Sequence, residues 1–417
     1  MERVSTAMTN NDLQYRLRSQ ENALYRMRSQ ITSRQQLSRL RDDPIAAGHL
    51  VRYDSYLTRI NGFEENAKKL TDKFSVAEGY LTESVNVMHR IRELAVTGAN
   101  GTFTPDDLKT MAVEVNELLK ELVQNANAVG PDGSLLFAGT RAKGAAFEAE
   151  MGDVPHAAEP MITAVRYQGN IEGNKIEIDE THFMDVNSAG NRIFWAEPQR
   201  LYSERDGRAY QAPADGSIAV DGVEIPIKTG DNIYAVAAKI NDSGAAVRAS
   251  IDPVIQGLNL ETTDSRQLWL EDNQGSTLFD LGVIKDSAQR PPYNIGDGAR
   301  TAGASLFDSV ISLRDALLSG DQEAIGGKVL GVLDQGFENL TRRMAETGSA
   351  YERAALNAER NSVTAYNTTA MITREGVLDD AGFAKAYTDM KMMEYAREAT
   401  MSVAAKLYSS TLLNYIR

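Results

Sequence analysis

The chain has 417 residues, of which 42% are hydrophobic, so it is long enough for two or three domains with ordinary apolar cores. Its formal net charge is 44 − 58 = −14, which argues against general nucleic-acid binding because a polyanion would be repelled. The absence of cysteine excludes disulfides, thiolate metal sites and cysteine nucleophiles. The polar first residues and the lack of a run of about eighteen apolar residues argue against a secretory signal peptide and a membrane span.

The first predicted element is an amphipathic helix that ends before Pro44. Gln20 fills one position of its heptad-compatible repeat, and the other positions are apolar: Leu13, Leu17, Leu24, Met27 and Ile31. The residue before a proline is biased away from helical angles, so Arg41-Asp42-Asp43-Pro44 predicts a bend.

The longest predicted element is a helix over residues 53–95, roughly 65 Å long at about 1.5 Å per residue. It carries one narrow apolar stripe: Tyr53, Leu57, Ile60, Phe63, Ala67, Leu70, Phe74, Ala77, Leu81, Met88, Ile91 and Ala95. Because one stripe on so long a rod cannot close a globular core, the rod must lie against other long helices.

A third helix is predicted after the turn at residues 98–101. Thr104 can cap it, Pro105 suits its first position, and Asp106 and Asp107 favour its positive end. Its apolar stripe is Leu108, Met111, Val115, Leu118, Leu122 and Val129. The short turn predicts that this helix returns antiparallel to the rod.

From residue 130 to about residue 298 the pattern changes to alternation and turns. We predict a short hairpin over residues 134–147, a helix over 231–240, and strands near 164–167, 175–179, 218–227, 247–251 and 268–270. Asp221-Gly222 predicts the turn of a hairpin, and Pro291-Pro292 with the following glycines predicts a linker.

Helical periodicity returns over residues 306–318, 324–373 and 383–415. Glu394 and Arg397 interrupt the stripe of the last helix, whose apolar members are Phe383, Tyr387, Met390, Met401, Ala404, Tyr408, Leu412 and Tyr415. Both chain ends therefore carry stripes too narrow for a globular core, and each is the simplest partner of the other. The predicted fold class is α+β: a long antiparallel helical bundle or coiled coil, built from the N- and C-terminal arms, with an inserted β-rich outer domain.

The sequence contains no recognisable catalytic, phosphate-binding or metal-binding motif. His49, His89, His156 and His182 show no pair at metal-ligand spacing, and ordinary surface or packing roles are expected for them. Gly326-Gly327-Lys328 lacks the earlier glycine of a phosphate-binding loop. Three aspartate pairs, at residues 42–43, 106–107 and 379–380, occur at predicted helix starts, where capping explains them better than acid–base catalysis. We expect no catalytic residue, cofactor or metal site.

Several motifs resemble the flagellin family. Arg41-Asp42-Asp43-Pro44 is similar to the bend after that family's first helix, and 91–95 with Asn100-Gly101-Thr102 is similar to the end of its rod. Residues 136–140, 167–170 and 187–194, and the ending 412–417, resemble the hook–filament junction group of that family. Residues 216–283 are similar to a module inserted in some flagellins and filament-cap proteins.

The resemblance implies an exported structural protein of the bacterial flagellum, extracellular or periplasmic. Its implied partners are copies of itself in a ring or helical turn, hook-associated protein 1, flagellin and a flagellar export chaperone. The implied domains are paired terminal helices (1–41 and 380–417), a helical rod domain with a hairpin (42–150 and 299–379) and the β-rich outer domain (151–298).

The assembly hypothesis places the intersubunit contacts on the two terminal stripes. These expected contact residues are Leu13, Leu17, Leu24, Met27, Ile31, Tyr387, Met390, Met401, Ala404, Tyr408, Leu412 and Tyr415. Residues 1–40 and 380–417 are then expected to be mobile in the free monomer and to order between subunits. Two alternatives stay open, a flagellin or other secreted filament subunit and an enzyme built on the β-rich insert.

Overall fold

The computed structural model of the chain describes residues 6–36, 43–141, 143–285 and 290–413. Its contacts divide the chain into two units, one of residues 1–65 with 358–417 and the other of residues 66–357. Helices come from both ends of the chain, with the strands between them, and this confirms the predicted α+β class.

The described secondary structure is as follows. The helices are α1 (Thr6–Ser33), α2 (Pro44–Gly98), α3 (Pro105–Ala126), α4 (Gly190–Ile193), α5 (Ile233–Asp242), α6 (Thr277–Asp280), α7 (Leu306–Ser319), α8 (Gln322–Ala324), α9 (Leu330–Gly376) and α10 (Asp380–Leu413). A π-helical turn, Ile325–Val329, joins α8 to α9. The strands are β1 (Phe147–Gly152), β2 (Met161–Tyr167), β3 (Lys175–Asp179), β4 (His182–Asp185), β5 (Arg200–Ser203), β6 (Gly216–Val220), β7 (Val223–Ile227), β8 (Val247–Ile251), β9 (Leu258–Thr262), β10 (Leu270–Gln274) and β11 (Ala299–Ala302).

The predicted stripe of the rod is buried from Ile60 to Ala95, and Ser84 fills its one gap. In the larger unit this stripe packs with α3, α7 and the start of α9. Arg90 and Glu114, 2.8 Å apart, show that α3 lies alongside α2, as predicted. Arg92 and Asp334, 2.6 Å apart, tie α2 to α9. The rod is therefore one layer of a helical bundle.

The helix starts follow the predicted capping chemistry. Thr104 and Asp107 form a capping box at α3, with the Asp107 N–H donating to the Thr104 hydroxyl at 3.3 Å. Asp43 accepts from the N–H groups of Ile45 and Ala46, each at 3.0 Å. Asp379 accepts from the N–H of Gly382 at 2.7 Å. Capping is therefore confirmed for these three aspartates, whereas Asp42 lies outside the described residues.

Four phenylalanine rings mark the place where the helices meet the β-rich segment. Phe194 lies 5.5 Å from Phe137, 5.3 Å from Phe147 and 5.6 Å from Phe307, measured between ring centroids. Nearby, the fully buried Arg314 of α7 donates to the side chain of Asn116 at 3.3 Å and to the carbonyl oxygen of Ile162. Burial of this charge is tolerated because its donors are engaged by acceptors.

The β-rich segment contains two larger antiparallel sheets and a core of its own. One sheet has the order β11-β5-β9-β8 and the other the order β10-β6-β7. The predicted hairpin at Asp221-Gly222 is confirmed, and both turn residues have positive φ, +49° and +78°, as a two-residue turn between twisted strands requires. The apolar face of α5 packs against this core through Ile233, Val236 and Ile240.

Some predictions about single elements are wrong. Residues 134–147 do not form a hairpin, because residues 135–138 are buried consecutively rather than alternately and make isolated bridges to Val129 and Ala189. The predicted linker after Pro292 contains β11, which pairs with β5. By contrast, the long helical stretch predicted over 324–373 with small interruptions is confirmed, and its interruption is the π-helical turn that contains Gly326 and Gly327.

A buried ion cluster ties the β-rich segment to α9. Arg266 pairs with Asp221, in the β6–β7 turn, and with Asp264, which follows β9. Asp264 is also 2.7 Å from Arg343 of α9. Burial alone would raise the pKa of Asp264, but hydrogen bonds and charges from Arg266 and then Arg343 outweigh it and lower this pKa to about 2.

We predict an acid-dependent loss of stability from this cluster. Because the pKa of Asp264 is lowered from 3.8 to about 2, the ionised carboxylate stabilises the fold above pH 4, and that contribution is lost as the pH falls toward 2. Urea unfolding of wild type and Asp264→Asn at several pH values measures it. The difference between the two proteins should shrink over this interval, whereas a constant difference would contradict the assignment.

Candidate assembly interface

The two terminal helices lie side by side and antiparallel, as the sequence predicted. The Gln20 side chain donates to the Thr400 hydroxyl at 3.2 Å, and Arg28 lies 2.8 Å from Glu394. At the other end the N–H of Leu378 donates to the carbonyl oxygen of Arg34 at 2.9 Å. The contact is therefore a helix pair closed by backbone hydrogen bonds where α1 ends and α10 begins.

The face of α1 that contacts α10, called its seam below, follows the predicted heptad. Leu24 is the most buried of its described side chains, 3% exposed, and Leu13, Leu17, Gln20, Met27 and Ile31 are half-buried. Two or three side chains in seven thus meet the partner helix, which is the geometry of a coiled-coil seam rather than of a globular core.

The seam of α10 differs from the predicted stripe. Its inward positions alternate by three and four residues: Phe383, Ala386, Met390, Met393, Arg397, Thr400 and Ala404. Met390 and Ala404 are buried as expected, whereas Tyr387 and Met401 are exposed. The side chains of Tyr408 and Leu412 and the whole of Tyr415 lie outside the described residues.

Polar residues of α10 contribute more contacts to the helix pair than the sequence predicted. Glu394 and Arg397, which were expected to interrupt the stripe, pair across the helices with Arg28 and with Glu21, at 2.8 and 3.1 Å. Hydrogen bonds from Lys391 and Arg28 lower the pKa of Glu394. The three-and-four spacing that includes Arg397 and Thr400 was the signal that could have found this seam.

The outer surface of the helix pair keeps large apolar side chains in solvent. Tyr15 is 75% exposed, and Tyr25 and Tyr395 are each 71% exposed. A groove of about 610 Å³ runs between the helices beside Tyr15, with Ala399, Thr400 and Val403 on its other wall. Exposed apolar residues grouped around a groove are typical of a surface that another protein covers.

The described histidines and carboxylates do not come together as a metal site. The described residues contain no group of three or more His, Asp or Glu residues that could hold a metal ion. His49 lies 3.3 Å from Glu375, and His182 is 3.8 Å from Asp179. His89 makes an edge-to-face contact with Phe337, with 4.6 Å between the ring centroids. His156 lies in a turn with φ +65°. Over the described ranges, every helix is too short or too polar to span a bilayer.

Two family models match separate parts of the chain. Residues 4–142 match the bacterial flagellin N-terminal helical region, and residues 214–264 match the flagellin hook IN motif. Over these two regions the chain is therefore similar to bacterial flagellins. The second match overlaps the predicted inserted module at residues 216–283.

Three relatives narrow the comparison. Flagellar hook-associated protein 3 of Escherichia coli (strain K12) is 25% identical over 218 residues, which are 51% of this chain and 64% of that protein, less than two thirds of its length. The protein of the same name from Salmonella typhimurium is 22% identical and covers 69% of this chain and 86% of its own length. Polar flagellin C of Vibrio parahaemolyticus is 24% identical and covers 97% and 96%.

We predict that the polar layer formed by Gln20 and Thr400 weakens the helix pair. The side-chain carbonyl oxygen of Gln20 is buried without a hydrogen-bond donor. The double variant Gln20→Leu, Thr400→Val removes this unpaired group and should stabilise the pair by on the order of 1 kcal/mol. Amide exchange in α1 and α10 of the free chain should then slow, by up to about fivefold. Gln14→Leu, on an exposed position of α1, is the control, and an equal effect of that variant would contradict the prediction.

Proposed function

We propose that the chain is a hook-associated protein 3, a structural and non-enzymatic subunit at the junction between hook and filament. The proposal rests on one observation, the terminal helix pair whose own seam leaves large apolar side chains and a groove uncovered. The matches to two proteins named flagellar hook-associated protein 3 support this position in the flagellum.

The assembly that follows is head-to-tail. A subunit repeated by rotation needs heterologous contacts, which close into a ring or continue as a helix. The proposed contacts use the outer faces of residues 1–41 and 380–417, with the rod domain (42–150 and 299–379) next and the β-rich domain (151–298) outermost. The proposed partners are further copies of the chain, hook-associated protein 1 and flagellin, with an export chaperone before assembly.

The narrow seam between α1 and α10 also supports the proposal that the two ends of the chain become ordered only on assembly. Each terminal helix buries few side chains, and a fully buried Leu or Met contributes only about 1.5 to 3 kcal/mol. Ordering each residue of a long helix costs on the order of 1 kcal/mol or more, so cover from neighbouring subunits is what stabilises the pair.

A flagellin is the second candidate. The match to polar flagellin C of Vibrio parahaemolyticus, which covers nearly all of both chains, favours it. A flagellin would be present along the whole filament, whereas a junction protein would be confined to one short zone at its base. Immunogold labelling of extracted flagella distinguishes these distributions.

Deletion of the gene tests the junction role. A cell without the protein should keep its hooks, fail to build filaments and release unassembled flagellin into the medium, because flagellin would lack the surface on which it polymerises. Immunoblots of medium and electron microscopy of hooks measure both effects, with the wild-type gene on a plasmid as control. Normal filaments in the deletion strain, or antibody label along the filament length, would contradict the proposal.

A further inference from the structure

A cleft of about 300 Å³ lies between α9 and the segment that joins β4 to α4, within the larger unit. Apolar side chains line part of it: Phe74, Ile171, Met184, Ile193 and Ala350. The polar part contains Asn187 and Ser188 on one side and Thr347 of α9 on the other. Its size suits a single small group rather than a nucleotide or a larger cofactor.

More positive than negative side chains line this cleft. Arg192, Arg343 and Arg353 line it together with Asp185 and Glu346, so the lining has a net positive charge in a chain whose total is −14. Glu346 is already engaged, because both of its oxygens accept from Arg343, at 3.1 and 2.9 Å. Arg192 and Arg353 form no ion pair with any residue in the described ranges.

Two buried polar atoms of the lining residues lack partners. Arg343 is 6% exposed, and its Nε–H has no acceptor within the described part of the chain, although its two terminal nitrogens bind Glu346 and Asp264. The carbonyl oxygen of the Asn187 side chain is also buried without a donor, while its amide donates to the carbonyl oxygen of Gly139 at 2.6 Å. A buried unpaired donor costs about 1–3 kcal/mol unless a ligand or water satisfies it.

We propose that this cleft is a binding site for an oxyanion, a carboxylate or phosphate group, which Arg192 and Arg353 hold beside the buried Nε–H of Arg343. Planar guanidinium groups match the geometry of such oxygens and form short, charge-assisted hydrogen bonds with them. Arg192 has no carboxylate at ion-pair distance in the described residues. Partial loss of water around it and the charges of Arg266 and Arg343 lower its pKa, against the opposing charges of Asp264 and Asp221. A bound oxyanion would give Arg192 a directly paired negative charge.

The oxyanion has two sources, a dissolved phosphate or carboxylate and a carboxylate side chain of a neighbouring subunit. The second source rests on the proposed function, whereas binding of a dissolved anion to the isolated chain does not. Measurements on the isolated protein therefore test the site even if the role at the junction is wrong.

The first experiment titrates the isolated full-length protein with inorganic phosphate and with acetate, at ionic strength held constant with chloride. The wild type should show a saturable rise in melting temperature, and Arg192→Gln should weaken the apparent Kd by about tenfold, the loss of one charge-assisted contact. Arg192→Lys should restore part of the affinity. Arg208→Gln, which removes a surface ion pair with Asp206 outside the cleft, is the matched control and should bind as the wild type does.

The second experiment identifies the source. Flagella that contain Arg192→Lys are treated with a carbodiimide, which joins a lysine amine to a carboxylate in contact with it, and the linked peptides are found by mass spectrometry. A link from position 192 that forms in flagella but not in the dilute isolated chain would identify a neighbouring subunit as the source. The proposal is overturned if neither phosphate nor acetate binds more strongly than chloride and no such link forms, or if Arg192→Gln binds as the wild type does.

Discussion

The narrow seam between α1 and α10 is the constraint on which the functional account depends. Among the described side chains of α10, seven inward positions alternate by three and four residues, and two of them are polar, Arg397 and Thr400. On the facing seam of α1, Gln20 lies opposite Thr400 and donates a hydrogen bond to it. Because the two helices bury so little, their outer faces keep Tyr15, Tyr25 and Tyr395 in solvent. In the proposed function, another molecule covers this surface.

The larger unit, in contrast, has two extensive buried cores. The stripe of α2, the helices α3 and α7 and the start of α9 form a continuous core that includes the four phenylalanines around Phe194. The β-rich segment has a second core and is joined to α9 through Arg266, Asp264 and Arg343. Most large apolar side chains of this unit are buried in these two cores, although some, such as Phe183, Tyr234 and Val254, remain exposed. The contrast between the two units supports a division between a self-sufficient body and ends that serve assembly.

The long helices were predictable because each carries many turns of one period. The stripe from Ile60 to Ala95 and the caps at Asp43, Thr104 and Asp379 follow from spacing and local hydrogen-bond chemistry. The hairpin at Asp221-Gly222 was predictable because its two residues suit positive φ. The short strands β5 and β11 were missed because four residues carry little periodicity and their pairing joins segments about 100 residues apart.

The pairing of the terminal helices was predictable from the sequence, but its detailed contacts were not. The sequence pairs the two ends of the chain because each has a narrow stripe, yet apolarity alone could not show that Glu394 and Arg397 contact α1 while Tyr387 and Met401 remain exposed. Ion pairs across a seam depend on the partner's register, which one helix cannot reveal. The cleft beside Arg192 depends on residues brought together from distant segments and left no local pattern.

Amide exchange of the free chain compared with the chain in assembled flagella tests the central claim most directly. The account predicts fast exchange throughout α1 and α10 in the dilute free chain, strong slowing of both helices in flagella, and slow exchange of α3 and α7 in both samples. If α1 and α10 of the free chain already exchange as slowly as α3 and α7, the two ends are stable without neighbours and the account is contradicted.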